Sequence, residues 1–203
     1  MTLKISRKIF FIFLIVISLN AYGNEEQSNH IEVLVNENII TKFDIIQKLK
    51  IHSILKRVEI DDNNYSQILN SIIDDLIVEK LKIRKIEEYN INFNKDEFSK
   101  FEKRFYSSLN YSKQDLEDLF SLNDINFSYL IETLEVDLKW QKLIYGLYLR
   151  ITSVTEQEIN ELISKNPDLN EETASDLILQ KQLDLKSMKL IKDLRNEATI
   201  EYK

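Results

Sequence analysis

The sequence has no cysteine, two glycines and one proline in 203 residues. Without cysteine there is no disulfide framework, no thiolate metal site and no cysteine nucleophile. The two glycines, Gly23 and Gly146, are too far apart for a phosphate-binding loop or a nucleophile elbow, whose motifs need closely spaced glycines. So few turn-forming residues also disfavour an all-β sandwich, and the composition predicts a mostly helical protein.

Histidine is also scarce, with only His30 and His52 in the sequence. Neither histidine belongs to a metal-binding motif such as HExxH. Acidic pairs such as Asp74 and Asp75 are better explained as solvated helix positions and caps than as catalytic carboxylates. The sequence therefore predicts no catalytic residue, no metal site and no cofactor, and the protein is not expected to be an enzyme.

The first 23 residues predict a secretory signal peptide. Three basic side chains precede an apolar run at residues 9–17, and Ala21 and Gly23 place small side chains at a cleavage site. The run is shorter than the ~20 residues that a helix needs to cross a bilayer. We expect export to a bacterial periplasm without stable membrane insertion, followed by a disordered linker at residues 24–29; an uncleaved anchor is the alternative.

The charge balance is acidic, with 34 acidic and 27 basic residues and a formal net charge of −7. Cleavage of the signal peptide would lower this to −10, because that segment carries three positive charges and no negative ones. A net negative surface repels the phosphate backbone, so we expect no nucleic-acid partner.

Two distant segments carry strand patterns. Residues 31–35 and 39–41 flank a turn at 36–38 that contains two asparagines, which tolerate the positive φ of tight hairpins. Residues 198–202 alternate apolar and polar side chains. Because an isolated strand leaves its backbone groups unpaired, we expect this C-terminal strand to join the N-terminal hairpin in a small antiparallel sheet; a frayed C-terminal tail is the alternative.

The intervening chain has helical periodicity, which is strongest in the segment that ends near Tyr89. Thr41, Asn94, Ser112 and Thr155 occupy the positions expected of helix N-caps. We expect a multi-helix architecture with helices at about 42–56, 65–89, 95–109, 113–122, 126–151, 156–165 and 174–197.

The order of these elements resembles the SurA family of periplasmic chaperones, specifically their non-catalytic core. The resemblance rests on hydrophobic patterns rather than on diagnostic side chains, and it covers nearly all of the chain after the signal peptide. The segments that carry it are the hairpin at 33–41, the helix at 69–77, the connection at 89–93, the segment at 151–159 and the closing helix and strand at 192–202.

The resemblance implies a single SurA-like chaperone core domain at residues 30–203. Family members carry one or two parvulin-type prolyl isomerase domains before the closing helix, and here only residues 164–173 occupy that place. A parvulin domain needs a glycine-rich framework and paired histidines, which this sequence lacks. Isomerase activity is therefore the part of the family function that we do not expect.

The family resemblance implies an ATP-independent chaperone, a holdase that binds unfolded outer-membrane proteins or other exported polypeptides and assists their assembly. A non-catalytic adaptor that docks one envelope partner is the alternative, a prolyl isomerase is less favoured, and the oligomeric state stays open. Tyrosine suits half-exposed positions that bind varied peptides. The predicted peptide-binding residues are Tyr106, Tyr111, Tyr129, Tyr145 and Tyr148.

Overall fold

The computed structural model describes residues 30–203, and the predicted signal peptide (1–23) and linker (24–29) lie outside them. Within this range a β-hairpin is followed by seven α-helices and a third strand. The predicted fold class, mostly α with a small antiparallel sheet, is confirmed. The elements are β1 (Ile31–Val35), β2 (Asn38–Thr41), α1 (Lys42–Lys56), α2 (Tyr65–Glu88), α3 (Lys95–Leu109), α4 (Lys113–Leu122), α5 (Ser128–Tyr148), α6 (Glu156–Lys165), α7 (Glu171–Glu197) and β3 (Ile200–Tyr202).

The sheet has the strand order β2–β1–β3, with antiparallel pairing on both sides of β1. Asn36 occupies the hairpin turn with φ 53°, a left-handed conformation in which asparagine is enriched. Its backbone N–H donates to the Thr199 carbonyl at 2.8 Å, and its side-chain oxygen accepts from the Thr199 N–H at 3.0 Å. The C-terminal strand therefore closes the sheet as predicted, and the frayed tail is excluded.

Four of the helices begin with the predicted caps. At Thr41, Asn94, Ser112 and Thr155 the side-chain oxygen accepts from the backbone N–H three residues on, and the acidic side chain there accepts from the cap N–H. Each arrangement satisfies two backbone donors that a helix start otherwise leaves unpaired.

The closing helix α7 begins earlier than predicted, at Glu171 instead of Ala174. The reason is an N-cap at Asn170, whose side-chain oxygen accepts from the Thr173 N–H at 2.8 Å. The connection between α6 and α7 is thus confined to residues 166–170.

Three buried clusters hold the elements together. The first packs the sheet, including Val35, against α1 and α2. The second surrounds Phe120 and joins α1, α3, α4 and α5. The third surrounds Trp140 and Leu183 and joins α2, α5 and α7. Because α5 contributes to the second and the third cluster, it packs against other helices on more than one face.

Gly146 lies in α5, where a Cβ atom would meet nothing within 4 Å. Glycine in a helix interior is less favourable than alanine by about 0.8–1 kcal/mol. We therefore expect Gly146→Ala to stabilise the protein by roughly that amount, which corresponds to about 2–4 °C in Tm for a chain of this size. Thermal unfolding followed by circular dichroism measures this, and a lower Tm would mean that a close contact requires the glycine.

Candidate binding cleft

An open cleft lies between α3 and α7, with α5 as its floor. It has two lobes, with volumes of about 660 Å³ and about 250 Å³. Phe101 of α3, Gln141 and Tyr145 of α5 and Gln180 of α7 line both lobes. Because four residues are shared, the lobes adjoin, and we call them together the interhelical cleft.

The larger lobe combines an apolar surface with polar groups. Its lining includes Phe105 of α3 and Leu138 of α5 in addition to Phe101. Arg104 lies on the α3 wall. Tyr145 is 42% exposed, although large aromatic side chains are usually mostly buried. An exposed aromatic surface in an open cleft can accept apolar groups of another molecule without prior unfolding of the protein.

The polar groups of the cleft include two glutamine amides. Gln141 and Gln180 are both exposed, and the Gln180 side-chain N–H donates to Asp184 Oδ1 at 2.8 Å. An amide side chain has two donor hydrogens and an acceptor oxygen. Such groups can pair with the main chain of a bound polypeptide whatever its sequence.

An ion pair joins the floor of the cleft to the α3 wall. Lys142 Nζ donates to both carboxylate oxygens of Glu97, at 3.0 and 2.8 Å. The hydrogen bond from Lys142, followed by that from the Asn94 backbone, holds the pKa of Glu97 below its usual value. Both side chains are partly exposed, so the pair positions the two helices more than it stabilises the fold.

The smaller lobe contains the only tryptophan of the sequence, Trp140. Its side chain is 4% exposed, and its indole N–H donates to Ser187 Oγ of α7 at 2.8 Å. Lys82 Nζ lies 5.9 Å from the ring centroid and 2.9 Å from Asp137 Oδ1. Trp140 is therefore a natural fluorescent reporter of events in the interhelical cleft.

The five tyrosines predicted to bind peptides do not share one face. Tyr145 lines the interhelical cleft, and Tyr148 is half-buried in the third cluster. Tyr106, Tyr111 and Tyr129 belong to the second cluster, around α1, α3, α4 and α5. The structure thus brings one of the five to the cleft, and a peptide-binding role stays a prediction for all five.

Tyr106 is the most buried of the five, at 7% exposure, and its hydroxyl donates to Glu102 at 2.6 Å. Burial, and then the hydrogen bond to Glu102, raises the pKa of this hydroxyl well above its usual value. Lys113 also donates to the same carboxylate oxygen, at 2.9 Å. This network connects α3 to α4 and leaves Tyr106 little surface for another molecule.

Tyr111 and Tyr129 are half-buried and have partners within the fold. The Arg57 side chain donates to the Tyr111 hydroxyl at 3.3 Å, and its guanidinium carbon lies 4.9 Å from the ring centroid. The Tyr129 ring is 6.0 Å from that of Phe43 in α1, measured between centroids. These contacts hold the residues just before α4 and the first turn of α5 against α1 and its C-terminal end.

The other cleft residues were not identified from the sequence. In the sequence, Phe101 and Phe105 are ordinary apolar positions of a helix, and Gln141 and Gln180 belong to no motif. The i, i+4 spacing of Phe101 and Phe105 indicates that they share a helix face. Nothing in the local sequence indicates that this face borders a cleft and not the protein interior.

Within residues 30–203, no three histidine, aspartate or glutamate residues converge as a metal site. Among the helices that the structure describes, none combines the length and the apolarity needed to cross a bilayer.

The sequence is similar to the chaperone SurA of Hydrogenovibrio crunogenus, with 23% identity over 162 residues. The match covers 78% of this chain but only 36% of that relative, so the chain spans about a third of its length. The resemblance to the SurA chaperones is confirmed by this match. No protein-family model matches the sequence.

One solved structure to which this chain shows similarity comes from the SurA-like chaperones PEB4 and Cj1289 of Campylobacter jejuni. It shares 14% sequence identity with this chain, with a TM-score of 0.46. The alignment covers 86% of this chain and 99% of the solved one.

Proposed function

We propose that this protein is an ATP-independent periplasmic chaperone, a holdase that binds unfolded outer-membrane proteins and other exported polypeptides and assists their assembly. The observation that carries the proposal is the interhelical cleft, which is open, partly aromatic and bordered by amide side chains. The similarity to a SurA chaperone supports the same class of function.

The cleft suits transient binding of varied chains. Its apolar surface, which includes Phe101 and Tyr145, takes up side chains of an unfolded polypeptide and shields them from water. Gln141 and Gln180 pair with main-chain groups, which every polypeptide presents. Because the cleft is open and each contact is modest, release needs no chemical step, and neither isomerase nor other catalytic activity is part of the proposal.

The tyrosines divide into different proposed roles. Tyr145 contacts the client directly, because it is exposed and lines both lobes of the cleft. Tyr106 positions α3 against α4 through Glu102. Tyr111, Tyr129 and Tyr148 stay predicted contacts, and each is half-buried.

The cellular location and the domain limits are part of the same proposal. The signal-peptide pattern at residues 1–23 supports export to the periplasm. We treat residues 30–203 as one chaperone core domain, since the three buried clusters adjoin through shared helices. Residues 164–173, which form the end of α6, a connection and the start of α7, take the place of the isomerase domains of the family.

A holdase is expected to suppress the aggregation of an unfolded β-barrel protein when the purified exported protein is present in modest excess. Light scattering after dilution of the barrel protein from urea measures this.

A photoreactive group at Tyr145 is expected to crosslink to the barrel protein. The same group at Tyr89, which is 45% exposed at the end of α2 and outside the cleft, is the matched control.

Two results would contradict the proposal: unchanged light scattering, or equal crosslinking from Tyr145 and Tyr89.

A proline-limited refolding assay tests the isomerase alternative separately. Catalysis above background there would assign the chain an enzymatic function.

The adaptor function remains the second candidate, because the structure has a separate apolar groove between α6 and α7. Its volume is about 390 Å³, and Leu162, Leu177 and Leu185 line it, with charged side chains at its borders. Leu177 and Leu185 are 51% and 57% exposed. Crosslinking from Leu185 to one dominant envelope protein, with none from Tyr145, would favour the adaptor.

A further inference from the structure

The strand β3 forms an open edge of the sheet. Among residues 30–203, which the structure describes, it pairs with β1 on one side, and the strand order β2–β1–β3 leaves its other side unpaired. In an antiparallel pair, alternate residues direct their N–H and C=O groups towards the partner strand or away from it. The orientation of β3 therefore decides which groups its open edge presents.

Two hydrogen bonds determine this orientation. The Asn36 N–H donates to the Thr199 carbonyl at 2.8 Å, and the Lys203 N–H donates to the Glu32 carbonyl at 3.0 Å. Residues 199, 201 and 203 therefore direct their backbone groups towards β1. Ile200 and Tyr202, which alternate with them, direct their N–H and C=O groups to the open side.

The side chains of the edge alternate in the same way. Tyr202 lies opposite Val33, and Ile200 lies opposite Val35, so these four share the face that packs on the first cluster. Tyr202 nevertheless stays 63% exposed. Glu201, on the other face, pairs with Lys203 Nζ at 2.7 Å. A strand added here would place apolar residues beside Ile200 and Tyr202 and polar residues beside Glu201.

We propose that the open edge of β3 binds an extended client segment as a fourth strand, separately from the interhelical cleft. This inference rests on the proposed holdase function. The segment would alternate apolar and polar residues, which is the pattern of the strands of outer-membrane barrels. Main-chain pairing provides the affinity, and the alternation provides the selectivity.

The short edge favours a client segment over a second copy of this chain. Only two residues direct backbone groups outward, and each net hydrogen bond contributes about 0.5–1.5 kcal/mol. That suits a reversible contact with a long unfolded chain that offers many equivalent segments. It is too little for lasting association of two folded copies, which normally bury an extensive interface.

Amide hydrogen exchange tests the inference residue by residue. The probe is a synthetic peptide of alternating valine and threonine residues with terminal lysines, added to the full-length exported protein. We expect exchange at Ile200 and Tyr202 to slow by about tenfold or more, because their N–H groups gain acceptors. Exchange at Glu201 should not change, since its N–H already faces Leu34 of β1. The same peptide with methylated backbone nitrogens should give much weaker protection.

Matched variants test the same contact without relying on exchange. Ile200→Pro with Tyr202→Pro removes two outward N–H groups and no bond of the β1–β3 ladder, as proline on an edge strand allows. Ile200→Val with Tyr202→Val is the control, because it trims the same side chains and keeps both N–H groups. We expect the proline variant to bind the alternating peptide about tenfold more weakly than the valine variant, with melting curves confirming that both are folded.

The outcomes separate this inference from the proposed function. Edge pairing is contradicted if aggregation is suppressed without protection of Ile200 and Tyr202, or if both variants bind the peptide equally. Either result leaves the holdase proposal intact. If the peptide protects Ile200 and Tyr202 but the protein does not suppress aggregation, edge pairing is supported and the holdase proposal is contradicted. Protection that grows with protein concentration alone means that a second copy occupies the edge, which also overturns the inference.

Discussion

Replacing Leu183 with alanine is expected to destabilise the protein by about 2–5 kcal/mol. Leu183 is 1% exposed and packs with Trp140 and Ile144 in the third cluster, where α7 meets α5. Alanine there loses the burial of the leucine side chain and leaves a cavity that the neighbouring helices only partly fill. Urea unfolding followed by Trp140 fluorescence and by circular dichroism measures the change in the free energy of unfolding.

Leu185→Ala is the matched control for this prediction. It makes the same substitution two residues further along α7, at a side chain that is 57% exposed. Surface substitutions usually change stability by no more than about 0.5 kcal/mol. If the two variants lose equal free energy of unfolding, this would contradict the packing of α7 on α5. It would also contradict the α7 wall of the interhelical cleft.

The double substitution Phe101→Ala with Tyr145→Ala is expected to weaken client binding by at least about tenfold. Aromatic anchors in binding sites commonly contribute 2 kcal/mol or more, and each 1.4 kcal/mol corresponds to a factor of ten in affinity. These two residues line both lobes of the cleft, one from the α3 wall and one from the floor. Titration with an unfolded barrel protein, followed by Trp140 fluorescence, measures the affinity.

Tyr89→Ala is the control for the cleft variant, because it removes an aromatic side chain of similar exposure outside the cleft. We expect its affinity for the barrel protein to match that of the unmodified chain. Phe101 is half-buried, so urea unfolding of the double variant must show that it is folded under the assay conditions. Unchanged affinity in the folded double variant would locate client binding elsewhere on the molecule.

The local structure of this protein was largely predictable from its sequence. The caps at Thr41, Asn94, Ser112 and Thr155 were correct because a cap depends on side chains within three residues of the helix start. Helix faces followed from the 3.6-residue period. The start of α7 differs from the prediction because Asn170 is an N-cap without a capping box, which leaves a weaker pattern in the local sequence.

The candidate site was only partly predictable. Tyr145 is one of the five predicted peptide-binding residues, and it lines both lobes of the cleft. Tyr106 has a similar local pattern, yet it is buried against Glu102. Periodicity shows which residues share a helix face, but it does not show whether another helix covers that face.

The sequence alone determined the helices, their capped ends and the closure of the sheet by the C-terminal strand. These features depend on local hydrogen bonds, side-chain periodicity and the need of a strand for a partner. Only the tertiary structure decided that α3, α5 and α7, which are distant in sequence, enclose an open cleft, and that Ile200 and Tyr202 direct their backbone groups away from β1. The physical reason is that apolar burial drives helices together without specifying which faces meet, so the cleft is set by how the whole chain packs.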